Sequence, residues 1–337
     1  MKNDHTETEL STGQEFRGQE ARANKLPPEV IKKLTRLNAF KSTQAIFETV
    51  GLIGLCVGLS IYYWSPWVVI PALFIIATRQ QACFVLAHDA AHYRLFKNRT
   101  VNDLAGRLIA SPVGISMCSY RVVHRLHHNH LYGRQDPDIP LHGGYPRGKT
   151  YLFKKLLKDL LGGTAFKTFA YFFGAPAQNN ERMETSDKKT RPLDDTSPIL
   201  RKAADRDRWS IVCFHVVLPI AAYFSGLLIE YLVLWILPLV TLLQPILRFR
   251  AICEHGAVKN FDSPLTAART NLGPAWIRFL LFPHSVNYHI EHHLYPSIPH
   301  YNLAQCHEEM KQRGLLENAE VRDIRMTTRL VIGAAKP

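Results

Sequence analysis

Charged residues are absent or nearly absent from two long stretches of this chain. Residues 49–78 carry no charge, and residues 210–247 carry only Glu230. With its flanking apolar residues, each stretch is about 40 residues long, roughly twice the length that a helix needs to cross a bilayer core. Each stretch therefore predicts a pair of transmembrane helices. The four predicted spans are residues 44–63, 67–87, 209–226 and 228–247, arranged as two hairpins.

Lysine and arginine are missing from the turns predicted inside these stretches. Of the 41 Lys and Arg residues, all but Arg79 lie before, between or after the two stretches. An excess of Lys and Arg marks the cytoplasmic segments of membrane proteins, so both termini and the central segment are expected in the cytoplasm. The net charge of +13 is thus assigned to membrane topology, and no nucleic-acid partner is predicted. The expected location is a bacterial inner membrane, or the endoplasmic reticulum in a eukaryote.

Paired cysteines are also lacking. The six cysteines form no CxxC motif, and most of them lie in apolar surroundings. Such residues are typical of small buried side chains, so neither disulfides nor zinc–cysteine sites are expected. The first 40 residues are polar and charged, and no cleavable signal peptide is predicted there.

Eight histidines, by contrast, recur in three closely spaced groups. Box one comprises His88 and His92, box two His124, His127 and His128, and box three His289, His292 and His293. On a helix, the i, i+3 and i+4 spacing of boxes two and three turns all three imidazoles toward one side. Imidazole is a ligand for Fe, Zn, Cu and Ni. Two HxxHH motifs are improbable by chance in a chain with 16 histidines, so the boxes are interpreted as metal ligands.

The number and position of these histidines indicate the chemistry. Eight imidazoles are too many for one tetrahedral zinc ion, which suggests two metal ions sharing the set. The boxes adjoin the cytoplasmic ends of the predicted spans, where a lipid chain can reach the metals while a reductant arrives from solvent. A redox metal can activate O₂, whereas no amino-acid side chain can attack an unactivated C–H bond. A redox metal at this place could therefore activate O₂ beside a lipid chain.

These motifs resemble those of the integral-membrane fatty acid desaturases and of the related membrane hydroxylases and carotenoid ketolases. The likeness covers the three boxes, the Asp-Pro-Asp at 136–138 and the His-His-Leu-Tyr-Pro at 292–296, and it spans residues 45–305. The resemblance implies an oxidoreductase with a di-iron centre, O₂ as co-substrate and two electrons per turnover. It also implies an all-α integral membrane fold, with four transmembrane helices under a cytosolic, histidine-rich helical cap.

The resemblance adds a ninth ligand. Family members often carry a further histidine between span four and box three, and His255 is the candidate in this chain. Nearby polar residues are candidates for holding the ligand rings, although solvated or structural roles stay open for each. They are Asp89, Asp136, Asp138, Glu254 and Glu291; Asn287 is a candidate either for capping the helix of box three or for orienting a metal-bound water. His130 and His215 are interpreted as structural, and no spacing argument supports His284, His300 or His307.

No electron-donor domain is predicted within the chain. His142 lies in His-Gly-Gly-Tyr-Pro, which differs from the His-Pro-Gly-Gly of a fused cytochrome b5. Electrons are therefore expected from a separate ferredoxin, rubredoxin or cytochrome b5. An acidic donor would be attracted by the basic cap. The alternative is that the positive charge only fixes topology and binds anionic lipid headgroups.

The leading hypothesis is a desaturase that introduces a double bond into a long acyl or similar lipid chain. The three residues between the histidines of box one resemble acyl-lipid and bacterial desaturases more than the animal acyl-CoA type. Box three begins with His289 rather than the glutamine of front-end desaturases. A lipid hydroxylase or carotenoid ketolase on the same di-iron site is the alternative. A membrane metal transporter is a distant one, because the histidine clusters lie outside the spans, and His215 and Glu230 are the candidates for a path within them.

Composition divides the chain into three parts. Residues 1–43 are predicted to be a polar tail followed by a short interfacial helix, 44–317 the membrane desaturase domain, and 318–337 a C-terminal tail. Residues 177–200 are predicted to form a mobile loop. The basic amphipathic stretch at 151–174 is typical of a helix in the headgroup plane, and a partner-binding helix is the alternative.

Overall fold

The computed structural model describes residues 25–133, 136–173 and 198–333, and within these ranges the protein is mostly helical. Most of the predicted loop at 177–200 lies outside the described residues. The helices are α1 (Pro28–Leu34), α2 (Ala39–Tyr63), α3 (Pro66–Ala91), α4 (Arg99–Ala110), α5 (Met117–Asn129), α6 (Ile139–His142), α7 (Lys149–Leu160), α8 (Ala165–Phe172), α9 (Pro198–Phe224), α10 (Leu228–His255), α11 (Pro264–Ala267), α12 (Ala275–Leu281), α13 (His289–Leu294), α14 (His300–Gln312) and α15 (Ile324–Val331). Two strands, β1 (Thr270–Leu272) and β2 (Val321–Asp323), pair in parallel.

Three helices among the described residues are long and apolar enough to cross a membrane, namely α2, α3 and α10. Helices α2 and α3 pack against each other and are joined at Trp64 and Ser65. Trp64 adopts the left-handed conformation (φ 37°), and Pro66 opens α3, where its missing N–H leaves no helical hydrogen bond unmade. The predicted turn at this point is therefore present.

The predicted third span lies in α9, which is not among the helices that are long and apolar enough to cross a membrane. Charged residues occupy this helix up to Arg208, so only the part from 209 onward is free of charge. The fourth span was predicted to stop at residue 247, yet α10 continues to His255. A charge does not end a helix when it finds a partner, and Arg248 pairs with the buried Asp159 of α7.

Helix α3 is the centre of the packed structure. Its second half, from Ile76 to Ala91, is buried on every side, and it contacts α2, α4, α5 and α10. Helix α4 crosses it at Gly106, where an added Cβ would lie 2.5 Å from the Cβ of Ala90. Only glycine allows this close approach, which keeps the last turn of α3 enclosed by protein.

Segments near both ends of the chain pack on the histidine-rich cap. The backbone N–H of Leu26 donates to the Tyr295 hydroxyl (2.8 Å), and Asn302 of α14 donates to the carbonyl of Leu34 (2.7 Å). At the other end, β2 pairs with β1 next to the buried ion pair of Arg269 and Glu320. Ordered structure thus continues past residue 317 to the end of α15. The predicted interfacial position of α1 and the domain boundaries stay predictions.

Candidate metal centre

Nine buried or half-buried histidines converge into two groups, and they are the nine predicted from the sequence. Cluster one contains His88, His92, His124, His128 and His292. Cluster two contains His127, His255, His289 and His293. Within each group, the nitrogen atoms that could bind a metal all lie within 4.8 Å of one another.

The boxes do not correspond to the clusters, because boxes two and three are each divided between them. On α5, His124 and His128 belong to cluster one and His127 to cluster two; on α13, His289 and His293 belong to cluster two and His292 to cluster one. Residues i and i+4 are about 40° apart around a helix, whereas i+3 falls on the other side of i by about 60°. One HxxHH motif can therefore supply two neighbouring sites, a pair to one and a single ring to the other.

The distances between ring nitrogens in cluster one fit ligands around a single ion. His292 Nε2 lies 2.9 Å from His88 Nε2, 2.8 Å from His128 Nε2 and 3.4 Å from His124 Nε2. Nitrogens bound to one metal at about 2.0–2.1 Å would be spaced by similar amounts. The Nε2 atom of His92 is buried without a hydrogen-bond partner among the described residues, as expected for a nitrogen whose lone pair serves a metal.

Cluster two shows the same arrangement, with the outer nitrogens held. His255 Nε2 lies 2.8 Å from His289 Nε2 and 3.3 Å from His127 Nε2. The Nδ1–H of His255 donates to the carbonyl of Ala267 (3.1 Å), and that of His127 donates to Asp136 Oδ1 (2.9 Å). With the proton on Nδ1, the Nε2 lone pairs point at one another, an arrangement that a shared cation would stabilise. The residues present therefore fit metal ions at both clusters.

Burial keeps most of these imidazoles neutral, which is the form that binds metal. It lowers the pKa of His92 to about 3. It also lowers the pKa well below the usual value for His124, His128, His289, His292 and His293. His127 differs: burial acts to lower its pKa, but the carboxylates of Asp138 and Asp136 outweigh burial and raise it.

Asp136 contacts a cluster ring directly, as the sequence suggested. In addition to His127, its carboxylate accepts hydrogen bonds from the backbone N–H of Tyr132 and of Asp138, each at 2.9 Å. Asp138 Oδ2 lies 3.6 Å from His127 Nδ1, and its other oxygen accepts the Tyr171 hydroxyl. The loop after box two thus folds back so that two carboxylates hold one ring.

Asp89 and Glu291 connect the boxes to α14. Asp89 Oδ1 is 3.5 Å from His88 Nδ1, and its Oδ2 accepts both the backbone N–H (3.0 Å) and the Nδ1–H (2.7 Å) of His300. Glu291 accepts His307 Nδ1–H (2.5 Å) and the Thr270 hydroxyl (2.6 Å). His300 and His307 had no spacing argument. Their only signal was that residues seven apart share a helix face and can contact two carboxylates.

Glu254 and Asn287 lie at the edge of cluster two. Glu254 Oε1 is 3.9 Å from His289 Nδ1. Asn287 is not the residue that caps α13, since Tyr288 occupies that position. Its amide donates to the carbonyl of Asn271 (3.1 Å), while its buried Oδ1 has no hydrogen-bond partner among the described residues.

His142 is a buried histidine that the sequence did not single out for this site. With His127 and Asp136 it forms a third group that could hold a metal. However, His127 Nδ1 already bonds to Asp136 and its Nε2 faces cluster two, so a separate ion there would compete with both. Both nitrogens of His142 are buried without a hydrogen-bond partner among the described residues.

Replacing Asp136 by alanine is expected to weaken iron binding by about 10- to 100-fold, because the His127 ring would lose its fixed orientation. Asp136→Asn should recover part of the affinity, since an amide oxygen can still accept the Nδ1–H. Iron bound at controlled free iron concentration measures both effects. The exposed Asp205→Ala is the control, and equal affinity in Asp136→Ala and wild type would contradict this role.

The fold and the site together define a class: a helical membrane protein with a paired histidine centre suited to metal ions. Comparison with known families is consistent with that class. The fatty acid desaturase family model matches residues 64–324, and the chain belongs to this family. It is therefore an oxidoreductase, and the resemblance seen in the histidine boxes is confirmed.

Similar proteins carry desaturase names. The chain is 29% identical to a dihydrorhizobitoxine desaturase of Bradyrhizobium elkanii, over 82% of this chain and 77% of that protein. It is 25% identical to an sn-1 oleoyl-lipid 12-desaturase of Synechocystis sp., over 85% and 79%. It is 23% identical to an sn-1 acyl-lipid omega-3 desaturase (ferredoxin) of Nostoc sp., over 81% and 76%.

Proposed function

We propose that this protein is an O₂-dependent di-iron membrane desaturase that introduces a double bond into an acyl or similar lipid chain. The observation that carries the proposal is the convergence of nine imidazoles into two adjacent clusters next to apolar helices. The desaturase names of its relatives support the reaction type. The proposed iron ligands are the members of clusters one and two.

The stoichiometry explains why a separate electron donor is needed. Loss of hydrogen from two adjacent carbons releases two electrons and two protons, whereas reduction of O₂ to two water molecules consumes four of each. The other two electrons and two protons must come from a donor and from solvent. Two bound iron ions would supply the oxidising power for breaking the C–H bonds, which no side chain possesses.

The residues of this chain hold and shield the centre. Asp136 and the carbonyl of Ala267 keep the Nδ1 protons of His127 and His255 in place, which leaves the Nε2 atoms free for metal. The Tyr120 ring stacks on that of His124 with centroids 5.4 Å apart and restricts its rotation. Because most of the cluster rings are buried, bulk water has little access to the reacting carbons.

The proposed topology retains four spans, with the uncharged part of α9 as the third. Helices α3 and α10 each end at the histidine centre, through His88 and His255, so the centre adjoins the same end of both helices. The Lys and Arg distribution supports a cytoplasmic position for this end and for both termini. A lipid substrate would approach from the membrane side of the centre.

The proposed electron donor is a small separate protein of the ferredoxin, rubredoxin or cytochrome b5 type. One relative, from Nostoc sp., has ferredoxin in its name. The formal net charge of +13 would increase the encounter rate with an acidic donor. Ferredoxin is therefore the first donor to supply in a reconstituted assay.

Expression in a bacterial host with a ferredoxin system, under ¹⁸O₂, tests the reaction. The expected result is a lipid product two mass units lighter than its precursor and free of ¹⁸O, absent from the His127→Ala variant. Incorporation of ¹⁸O into the lipid would identify a hydroxylase or ketolase instead. Lipid profiles that do not differ between wild type and His127→Ala would contradict the proposal.

A further inference from the structure

A small cavity reaches both histidine clusters. Its volume is about 80 Å³, and its walls include His88 and His124 of cluster one and His127, His255 and His289 of cluster two. Pockets for drug-sized ligands usually measure about 300–1,000 Å³. The cavity therefore admits only a short portion of a substrate, and that portion lies against the centre.

The wall formed by α10 carries polar side chains alongside the apolar Leu247 and Ala251. Gln244, Arg248, Arg250 and Glu254 of this helix all line the cavity, opposite Phe84 of α3. The Arg248 guanidinium is neutralised, since it bonds to both carboxylate oxygens of the buried Asp159. The cavity therefore offers polar contacts on one wall and apolar contacts elsewhere, which suits a substrate with a polar group at one end.

Of the two arginines in this wall, Arg250 is the one that still has hydrogen-bond donors available for a ligand. Its Nε lies 3.3 Å from Glu254 Oε1 but is misaligned, and it has no hydrogen-bond partner among the described residues. Glu254 is the one carboxylate within ion-pair distance of this guanidinium among the described residues. The edge formed by the two Nη groups can receive a second carboxylate in the two-pronged geometry that arginine favours.

His142 is an independent sign of a ligand. It lines the same cavity, it is 1% exposed, and neither ring nitrogen finds a hydrogen-bond partner in the described part of the chain. Leaving such a group unsatisfied costs free energy, so buried polar groups nearly always have partners. A bound polar molecule would satisfy both nitrogens.

We propose that this cavity binds a carboxylate at Arg250 and that the double bond forms among the carbons next to that carboxylate. The inference rests on the proposed desaturase function. Glu254 Oε1 lies 3.3 Å from Arg250 Nε and 3.9 Å from His289 Nδ1, so the guanidinium lies within a few ångströms of a cluster-two ring, and a carboxylate bound to it would hold its neighbouring carbons close to the centre. The substrate is then a free carboxylic acid that reacts near its polar end, rather than an ester-linked chain that reacts at its middle.

Binding tests the carboxylate site without turnover. Hexanoate is titrated against the purified protein in detergent, with the thermal unfolding midpoint as readout and methyl hexanoate as the uncharged counterpart. Hexanoate should raise the midpoint saturably and the ester should not. Arg250→Gln should weaken hexanoate binding at least about tenfold, as expected for loss of a charged hydrogen-bond partner. Arg250→Lys, which keeps the charge beside Glu254, should bind with intermediate affinity.

A surface variant separates binding at Arg250 from attraction to positive charge in general. Arg325→Gln removes an exposed surface charge and should bind hexanoate like wild type. Equal binding of acid and ester, no saturable effect of the acid, or unchanged binding in Arg250→Gln would each overturn the proposal. The last outcome includes a carboxylate held by the metal ions alone.

The position of the double bond gives the second readout. With dodecanoate, ferredoxin and O₂, the new double bond is expected next to the carboxylate. A double bond at mid-chain would overturn the carboxylate site and leave the desaturase function standing. Iron-loaded protein that binds the acid through Arg250 and dehydrogenates neither acids nor lipids would contradict the desaturase function instead.

Discussion

Replacing His292 by alanine is expected to abolish detectable product formation and to remove most of the bound iron. Its Nε2 atom lies within 3.4 Å of ring nitrogens from box one and from box two, so this residue joins three helices in cluster one. Without it, the four remaining rings of the cluster lose their common contact. Cluster two, which shares helices α5 and α13 with cluster one, is expected to lose affinity as well.

The His292→Ala experiment needs three measurements on purified protein. Iron content and product formation should collapse together, while circular dichroism should report nearly unchanged helix content. His130→Ala is the matched control, because His130 is exposed just after α5 and belongs to neither cluster. A His292→Ala protein that retains both iron and activity would exclude His292 as a ligand.

Replacing Glu320 by alanine is expected to lower the free energy of unfolding by about 3–5 kcal/mol, because it leaves a buried charge without its partner. The side chains of Arg269 and Glu320 are both fully buried and lie 3.1 Å apart. Arg269 also donates to the carbonyls of Cys253, Gly256 and Ala257. The pair therefore joins the end of α10 to β1 and to the C-terminal segment.

Two further variants identify the cause of this loss. Glu320→Gln keeps the shape and one acceptor but removes the charge, so its effect should be smaller than that of Glu320→Ala. Glu317→Ala, an exposed position three residues earlier, should leave stability within about 0.5 kcal/mol of wild type. Denaturant or thermal unfolding in detergent measures all three. Equal effects of Glu320→Ala and Glu317→Ala would show that the buried pair does not stabilise the protein.

The sequence predicted which histidines converge but not how they divide. Spacing is a local property, and from it we predicted that the rings of each box lie on one side of a helix. His127 falls in cluster two and His292 in cluster one, and this division depends on the angle at which α5 faces α13. That angle results from packing around the buried half of α3, which no local pattern reports.

Contacts between residues that lie far apart in the sequence were also not predicted. His300 and His307 act through carboxylates that lie in other helices, so their role appears only when α14 is placed beside the boxes. Similarly, the end of the fourth predicted span was placed before Arg248 because its partner Asp159 lies 89 residues away. Apolar runs extend over many residues, and they located the three helices that are long and apolar enough to cross a membrane.

The parallel pairing of β1 with β2 sets the order in which the protein can mature. The last cluster histidine is His293, yet the strand beside box three pairs with residues 321–323. Among the described residues, Glu320 is the one anion that pairs with Arg269, which lies next to that strand. During synthesis the complete ligand set therefore leaves the ribosome before the structure that supports it. Metal ions at the two clusters would reach their final geometry only after translation has nearly ended, and a chain shortened before residue 320 would keep all nine histidines and lack this support.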